Sequence, residues 1–118
     1  MPGFRELKVW QRAKELAVDI YQITQKDPFN KDFSLRDQIR RAAVSIPSNI
    51  SEGDERGSNK DSVRFFYMAK GSLAELETQL EIAYEIKYLD EQTLRDLNEK
   101  CNTIGKMLGS LIKIRSQG

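Results

Sequence analysis

Histidine does not occur anywhere in the 118 residues, and there is one cysteine, Cys101. The first absence removes the commonest general base and the commonest metal ligand together. A lone cysteine excludes an intrachain disulfide, which fits a reducing compartment. Long apolar runs are also missing: nothing approaches the roughly 20 residues of a membrane span. The opening MPGFRELKVWQRAK carries a charge every few residues, so neither a signal peptide nor a span is expected there. A cytoplasmic, membrane-free protein is the expectation. There is no surplus of one charge either, with 19 basic and 18 acidic side chains. Net charge by itself therefore indicates no nucleic-acid partner.

What is present is helical periodicity, in four segments of one domain spanning 1–118. The first runs over about 7–26, with Leu7, Trp10, Ala13, Ala17, Ile20 and Thr24 on one face. Asp27-Pro28 ends it, because a residue preceding proline is pushed out of the α region. The second covers about 35–53. Ser34 is the expected cap, and Gly53 the expected C′ residue. Its buried stripe is Leu35, Ile39, Ala42, Ala43, Ile46 and Ile50. Pro47 lies inside it and removes one backbone bond at a cost of about 3 kcal/mol. The stripe keeps its phase across Pro47, which favours one kinked helix over two short ones. The third, about 59–87, carries Val63, Phe66, Ala69, Leu73, Leu76, Leu80 and Ala83 at spacings close to a heptad seam. Ser58 is its expected cap. The fourth, about 91–114, is capped by Asp90 and lined by Leu94, Leu97, Cys101, Ile104, Leu108 and Leu111. Short connections favour antiparallel neighbours. The predicted fold is an all-α, up-down-up-down four-helix bundle, its second helix kinked near Pro47.

Catalytic constellations are hard to assemble from these residue types. The Glu-x-x-His pairs of bundle metal sites are impossible, and Glu75, Glu77, Glu81 and Glu85 suit a solvated face. Cys101 sits on the apolar stripe, where an inert thiol is expected rather than a nucleophile. No phosphate-binding glycine loop is present. The expectation is no enzyme, no metal, no cofactor and no small-molecule substrate.

Two polar lines stand out. On the second helix Gln38, Arg41, Ser45, Asn49 and Glu52 align; on the third, Phe65, Met68, Ser72, Glu75, Gln79 and Ile82 form a stripe beside the seam. If the lines meet, Arg41, Ser45, Asn49, Glu52, Ser72, Glu75 and Gln79 form a register-fixing network, with Arg41 pairing Glu75. A binding role for the same residues is the alternative. Phe65, Met68 and Ile82 lie off the main seam, which makes them candidate contacts between copies; widening of the core is the other reading. Arg36, Arg40, Arg41, Arg56, Lys60 and Arg64 cluster along the chain around the second helix and the turn after it. They are candidate nucleic-acid contacts, set against solvated pairing with Asp37, Asp54, Glu55 and Asp61. No aromatic stacking platform interleaves with them, which weakens single-strand recognition.

The segments QIRRAA (38–43), SIPSNISEG (45–53) and AKGS (69–72), the last followed by Glu75-Leu76, resemble the four-helix-bundle family encoded in intervening sequences of bacterial 23S ribosomal RNA genes. The resemblance begins at FRELKVWQRAKELAVDIY and reaches the final helix. The family is similar to the accessory proteins of diversity-generating retroelements. That likeness implies a homo-oligomer, of five copies in the wider group, and partners such as RNA, DNA or a reverse transcriptase. It supplies no catalytic residues. Two functions follow as expectations. One is a homo-oligomeric scaffold that binds nucleic acid. The other is a protein-interaction adaptor presenting a helical surface, without nucleic-acid binding.

Overall fold

In the computed structural model, residues 3–117 are described. Four α-helices account for most of them: α1 (Lys8–Thr24), α2 (Phe33–Asp54), α3 (Asn59–Glu85) and α4 (Glu91–Gln117). Short 3₁₀ turns at Phe4–Glu6 and Phe29–Lys31 precede α1 and α2. Each helix packs on its neighbours in chain order and α1 closes against α4; the backbones of the diagonal pairs stay apart, and the Arg115–Asp54 bridge reaches from α4 to the end of α2. This is the antiparallel four-helix bundle that the periodicity predicts, an elongated body of 46 × 21 × 20 Å.

The core follows the stripes. Ala13, Leu16 and Ile20 of α1 meet Ile39, Ala43, Ile46 and Ile50 of α2, Phe66, Ala69, Leu76 and Leu80 of α3, and Leu97, Cys101, Ile104 and Leu108 of α4. Alanine at 13, 42, 43, 69 and 83 is almost fully buried, which lets the backbones approach closely. Near the end of α4 the buried position is Ile112 and not Leu111, which is only partly covered. A straight helix drifts against a seven-residue repeat, so the stripe moves by one position after several turns.

The ends differ in detail from the expectations, and each difference has a local cause. Asp32, not Ser34, caps α2: its Oδ1 accepts from the Leu35 N–H at 3.1 Å. The helix therefore begins two residues early, at Phe33. Gly53 is not a C′ residue. It stays helical, buried inside the last turn of α2, and no glycine among the described residues has positive φ. A Cβ at Gly53 would lie 2.7 Å from Phe66 Cε1, so the glycine serves a close approach of α3. Helix α2 is continuous through Pro47, whose ring is buried between Ile46 and Ile50.

Helix α3 stops at Glu85 because Lys87 adopts φ 70°. The Tyr88 N–H bonds the Ala83 carbonyl at 2.8 Å and the Lys87 N–H bonds the Tyr84 carbonyl at 2.9 Å. That is the Schellman pattern, with lysine where glycine is usual. Ser58 caps α3 through the Asp61 N–H (3.3 Å), and Asp90 Oδ1 accepts from the Thr93 N–H at 2.8 Å at the start of α4. That bond holds the Asp90 carboxyl below its ordinary pKa.

Candidate functional site

Two polar contacts set the register of α2 against α3. The Ser72 hydroxyl donates to Ser45 Oγ at 3.0 Å, and the Ser62 hydroxyl donates to the Gly53 carbonyl at 2.6 Å. Asn49 Nδ2 donates to the Ser45 carbonyl (2.9 Å) and to Ser45 Oγ (3.1 Å). Ser45, Asn49 and Ser72 thus form a connected group, as the two aligned stripes suggest. The wider network does not close. Arg41 and Glu75 are both exposed, and no ion pair joins them among the described residues. Glu52 turns along its own helix to Arg56 at 3.8 Å. Gln79 is 8% exposed, and its Oε1 is buried without a hydrogen-bond partner.

The stripe beside the α3 seam is largely uncovered. Met68 and Ile82 are about half exposed, at 48% and 47%, and Ile86 adds a further apolar side chain one turn beyond Ile82. Phe65 is different: two guanidinium groups hold its ring. Arg56 Cζ lies 4.4 Å from the ring centroid and Arg64 Cζ 5.1 Å.

The six basic residues do not form one patch. Arg40 stands 14 residues before the end of α2 at Asp54, about 21 Å of helix, and Arg56 lies beyond that end in the turn. Arg40 faces α1: its Nε donates to Thr24 Oγ1 at 2.8 Å, and its Cζ lies 4.5 Å from the Tyr21 centroid. Arg36 bonds Asp37 (3.0 Å) and the Asn30 carbonyl (3.2 Å), and lies 4.8 Å from the exposed ring of Phe33. Arg41 is exposed, about 100° further round α2 than Arg40. Arg56 and Arg64 gather at the α2–α3 turn around Phe65, while Lys60 lines a groove with Val63 and Arg115.

Four of the six sit over an aromatic ring, Arg36, Arg40, Arg56 and Arg64. The rings come from elsewhere in the chain or the fold: Tyr21 from α1, Phe65 from α3, Phe33 from one turn before Arg36. Spacing alone could have found Phe33–Arg36 and Arg64–Phe65; Tyr21–Arg40 needs the tertiary packing. Salt pairing within the cluster is also thinner than expected. Asp54 pairs with Arg115 of α4 at 2.7 Å, and Arg41, Lys60 and Arg64 make no ion pair among the described residues.

Residues 5–110 match the model of the 23S rRNA-intervening sequence protein family. The chain belongs to this family. Its fold is shared with a solved protein of unknown function from the S23 ribosomal protein family of Bacteroides thetaiotaomicron VPI-5482. That protein is 29% identical, covers 89% of this chain over 98% of its own, and superposes with a TM-score of 0.82. No curated protein matches the chain. Family membership fixes the bundle and leaves its task open, so function has to be argued from the surface.

That surface holds shallow grooves. One between α3 and α4, about 580 Å³, is lined by Glu77, Glu81, Arg95, Asn98 and Asn102. Another, about 250 Å³, lies between α1 and α4 beneath the Lys100–Asp19 ion pair (2.6 Å). No three histidine, cysteine or acidic side chains gather to hold a metal among the described residues. No helix there is long and apolar enough to cross a membrane. Cys101 is fully buried, and burial pushes its thiol up to about 12, with the Glu77 charge adding to the shift.

Proposed function

We propose that this chain is a non-enzymatic, homo-oligomeric scaffold that binds nucleic acid through the α2–α3 turn. The observation that carries this reading is the arrangement of Arg56 and Arg64 about Phe65, with Lys60 exposed in the first turn of α3. Cations supply phosphate attraction, and guanidinium planes and rings supply faces on which unpaired bases stack. Copies joined side by side multiply that surface, and the half-exposed Met68 and Ile82 supply apolar area for the joining. Five copies is the number that the family resemblance implies. A reverse transcriptase is the protein partner implied in the same way.

The non-enzymatic part rests on residue chemistry. The chain has no histidine, and its one thiol is buried and held protonated far above neutral pH. Neither supplies a base or nucleophile near pH 7.

A mobility-shift experiment with single-stranded RNA and DNA at about 50 mM salt tests the proposal. Retarded complexes that dissolve as salt rises support it. No shift at that salt, together with a protein partner captured after nuclease treatment, establishes the adaptor reading instead.

A further inference from the structure

The segment leading into α1 carries a second cluster of rings and cations. Phe4 and Trp10 meet edge to face, with centroids 5.1 Å apart. Arg5 Cζ lies 4.7 Å from the Phe4 centroid, and Lys14 Nζ lies 5.3 Å from that of Trp10. The Gln11 side-chain amide donates to the Arg5 carbonyl at 2.8 Å and holds the segment in place. Packing on the core explains the covered side of Trp10. It does not explain the rest: both rings are partly open to solvent, both cations are exposed, and neither cation makes an ion pair among the described residues.

This cluster stands at the same end of the bundle as Phe65. Arg40 of α2 bonds Thr24 of α1, which sets the two helices level at that point. From Thr24 back to Lys8 is 16 residues, about 24 Å of α1; from Arg40 on to Asp54 is 14 residues, about 21 Å of α2. The start of α1 and the end of α2 therefore share one level, and the Phe4–Glu6 turn packs on both helices. On the other side of α2, Phe65 lies against Gly53, where an added Cβ would stand 3.0 Å from Phe65 Cβ. The two ring clusters flank the last turns of α2, one towards α1 and one towards α3.

Charge divides along the same axis. The Ser45–Ser72 and Asp19–Lys100 contacts mark the middle of the bundle. The half towards the α2–α3 turn (3–16, 44–72 and 104–117) holds 11 basic and 6 acidic side chains; the other half (17–43 and 73–103) holds 8 basic and 12 acidic. The small net charge of the chain thus hides two opposed ends, and a polyanion is drawn to one and repelled by the other. Two of the acidic groups at the end of α2 are already paired, Asp54 with Arg115 at 2.7 Å and Glu52 with Arg56 at 3.8 Å.

The geometry points to a single strand of RNA or DNA lying across the end of α2, with bases stacked at both clusters and phosphates on the cations around them. This rests on the nucleic-acid reading above and extends its site to Phe4, Arg5, Trp10 and Lys14. Two stacking stations select unpaired bases, whose faces are free. The bundle is 20 Å wide, which about six nucleotides cross at about 3.4 Å each.

Trp10 is the one tryptophan of the chain, so its emission reports the second cluster separately from binding itself. The test titrates oligo(U) and oligo(dT) of about 12 nucleotides, following anisotropy of a labelled strand and Trp10 emission with an unlabelled one. At about 50 mM salt wild type binds, and Trp10 emission is quenched with the same midpoint. Quenching by either strand supports the proposal, and quenching by one alone assigns RNA or DNA. The Arg5→Ala, Lys14→Ala double variant keeps its helicity by circular dichroism and binds about tenfold more weakly. A duplex of oligo(U) with oligo(A) leaves Trp10 emission unchanged. Wild-type binding without quenching, or a double variant that binds as tightly as wild type, overturns the second station and leaves the α2–α3 turn in place. Equal quenching by the duplex overturns the stacking of unpaired bases. No binding by wild type removes the parent reading together with this one.

Discussion

The Ser62 hydroxyl, buried at the base of α3, donates its hydrogen bond to the Gly53 carbonyl at the end of α2, nine residues back. This one contact closes the turn that carries Arg56 and Lys60. The same carbonyl also accepts from the Arg56 N–H at 3.2 Å, so it is shared between the turn and α3. On the same turn, Gly53 lets Phe66 approach to a distance that no Cβ would permit.

Both halves of that relationship are open to mutation. Ser62→Ala removes one of the bonds to the Gly53 carbonyl and leaves the Arg56 N–H on it, with an expected loss of about 1 kcal/mol. Gly53→Ala places a methyl group against Phe66 and is expected to cost about 1–3 kcal/mol through overpacking, despite the higher helix propensity of alanine. Urea unfolding followed by circular dichroism reads both losses. A Gly53→Ala protein as stable as wild type would show that α3 has room to move.

Lys87 holds a left-handed conformation at the end of α3. Lys87→Gly is expected to stabilise the protein by about 0.5–1 kcal/mol, since glycine adopts positive φ without the Cβ clash. A rise in the melting temperature with an unchanged spectrum is the expected result.

Cys101 makes the stability of the bundle sensitive to alkali. Its thiol titrates at about 12 in the folded chain, against an ordinary value of 9.0. The proton is therefore held more tightly by the folded state. This contribution is fully present below about pH 9 and declines as pH rises towards about 12, with a limiting slope of about 1.4 kcal/mol per pH unit. Unfolding at about pH 8 and about pH 10 should show a steeper loss for wild type than for Cys101→Ala. The same burial predicts that thiol reagents modify the native protein only at the rate at which it opens.

Arg115 ties the last turns of α4 to α2. It bonds Asp54 at 2.7 Å with both side chains mostly covered, and its Cζ lies 5.5 Å from the Phe66 centroid. Arg115→Ala removes the partner of a partly buried carboxylate. A loss of about 1–2 kcal/mol is expected, reduced by residual solvent access. Thermal melts of the variant and of Asp54→Asn should show similar losses.

The helices were legible because their apolar residues repeat. Ile39, Ile46 and Ile50 or Leu73, Leu76 and Leu80 announce one face whatever lies opposite. The ends were harder. Asp32 and Ser34 are both good caps, and choosing between them depends on where Phe29 and Tyr88 stack (5.2 Å between centroids). Asp32 also accepts a 3.0 Å bond from the Tyr88 hydroxyl, which raises the phenol above its ordinary pKa. No local pattern signals a contact 56 residues apart.

The surface was read with less success for a related reason. Along the chain Arg40 and Arg41 are neighbours, yet successive residues on a helix point about 100° apart. One packs on Tyr21 and Thr24, while the other is exposed to solvent. Chain proximity therefore overstated the basic patch. It also hid the rings that Tyr21 brings to Arg40 and Phe65 brings to Arg56. Gly53 shows the converse, since its type was noticed and its reason was not: the demand comes from Phe66 on the next helix.

The most direct test of the proposed function is the salt dependence of binding to a single-stranded RNA, measured by fluorescence anisotropy for wild type and for the Arg56→Ala, Arg64→Ala double variant. Affinity that falls linearly in log–log form is predicted, with a slope shallower by about 1–2 in the variant, as two phosphate contacts are lost. Equal slopes, or no binding by wild type at about 50 mM salt, would contradict a nucleic-acid surface at the α2–α3 turn.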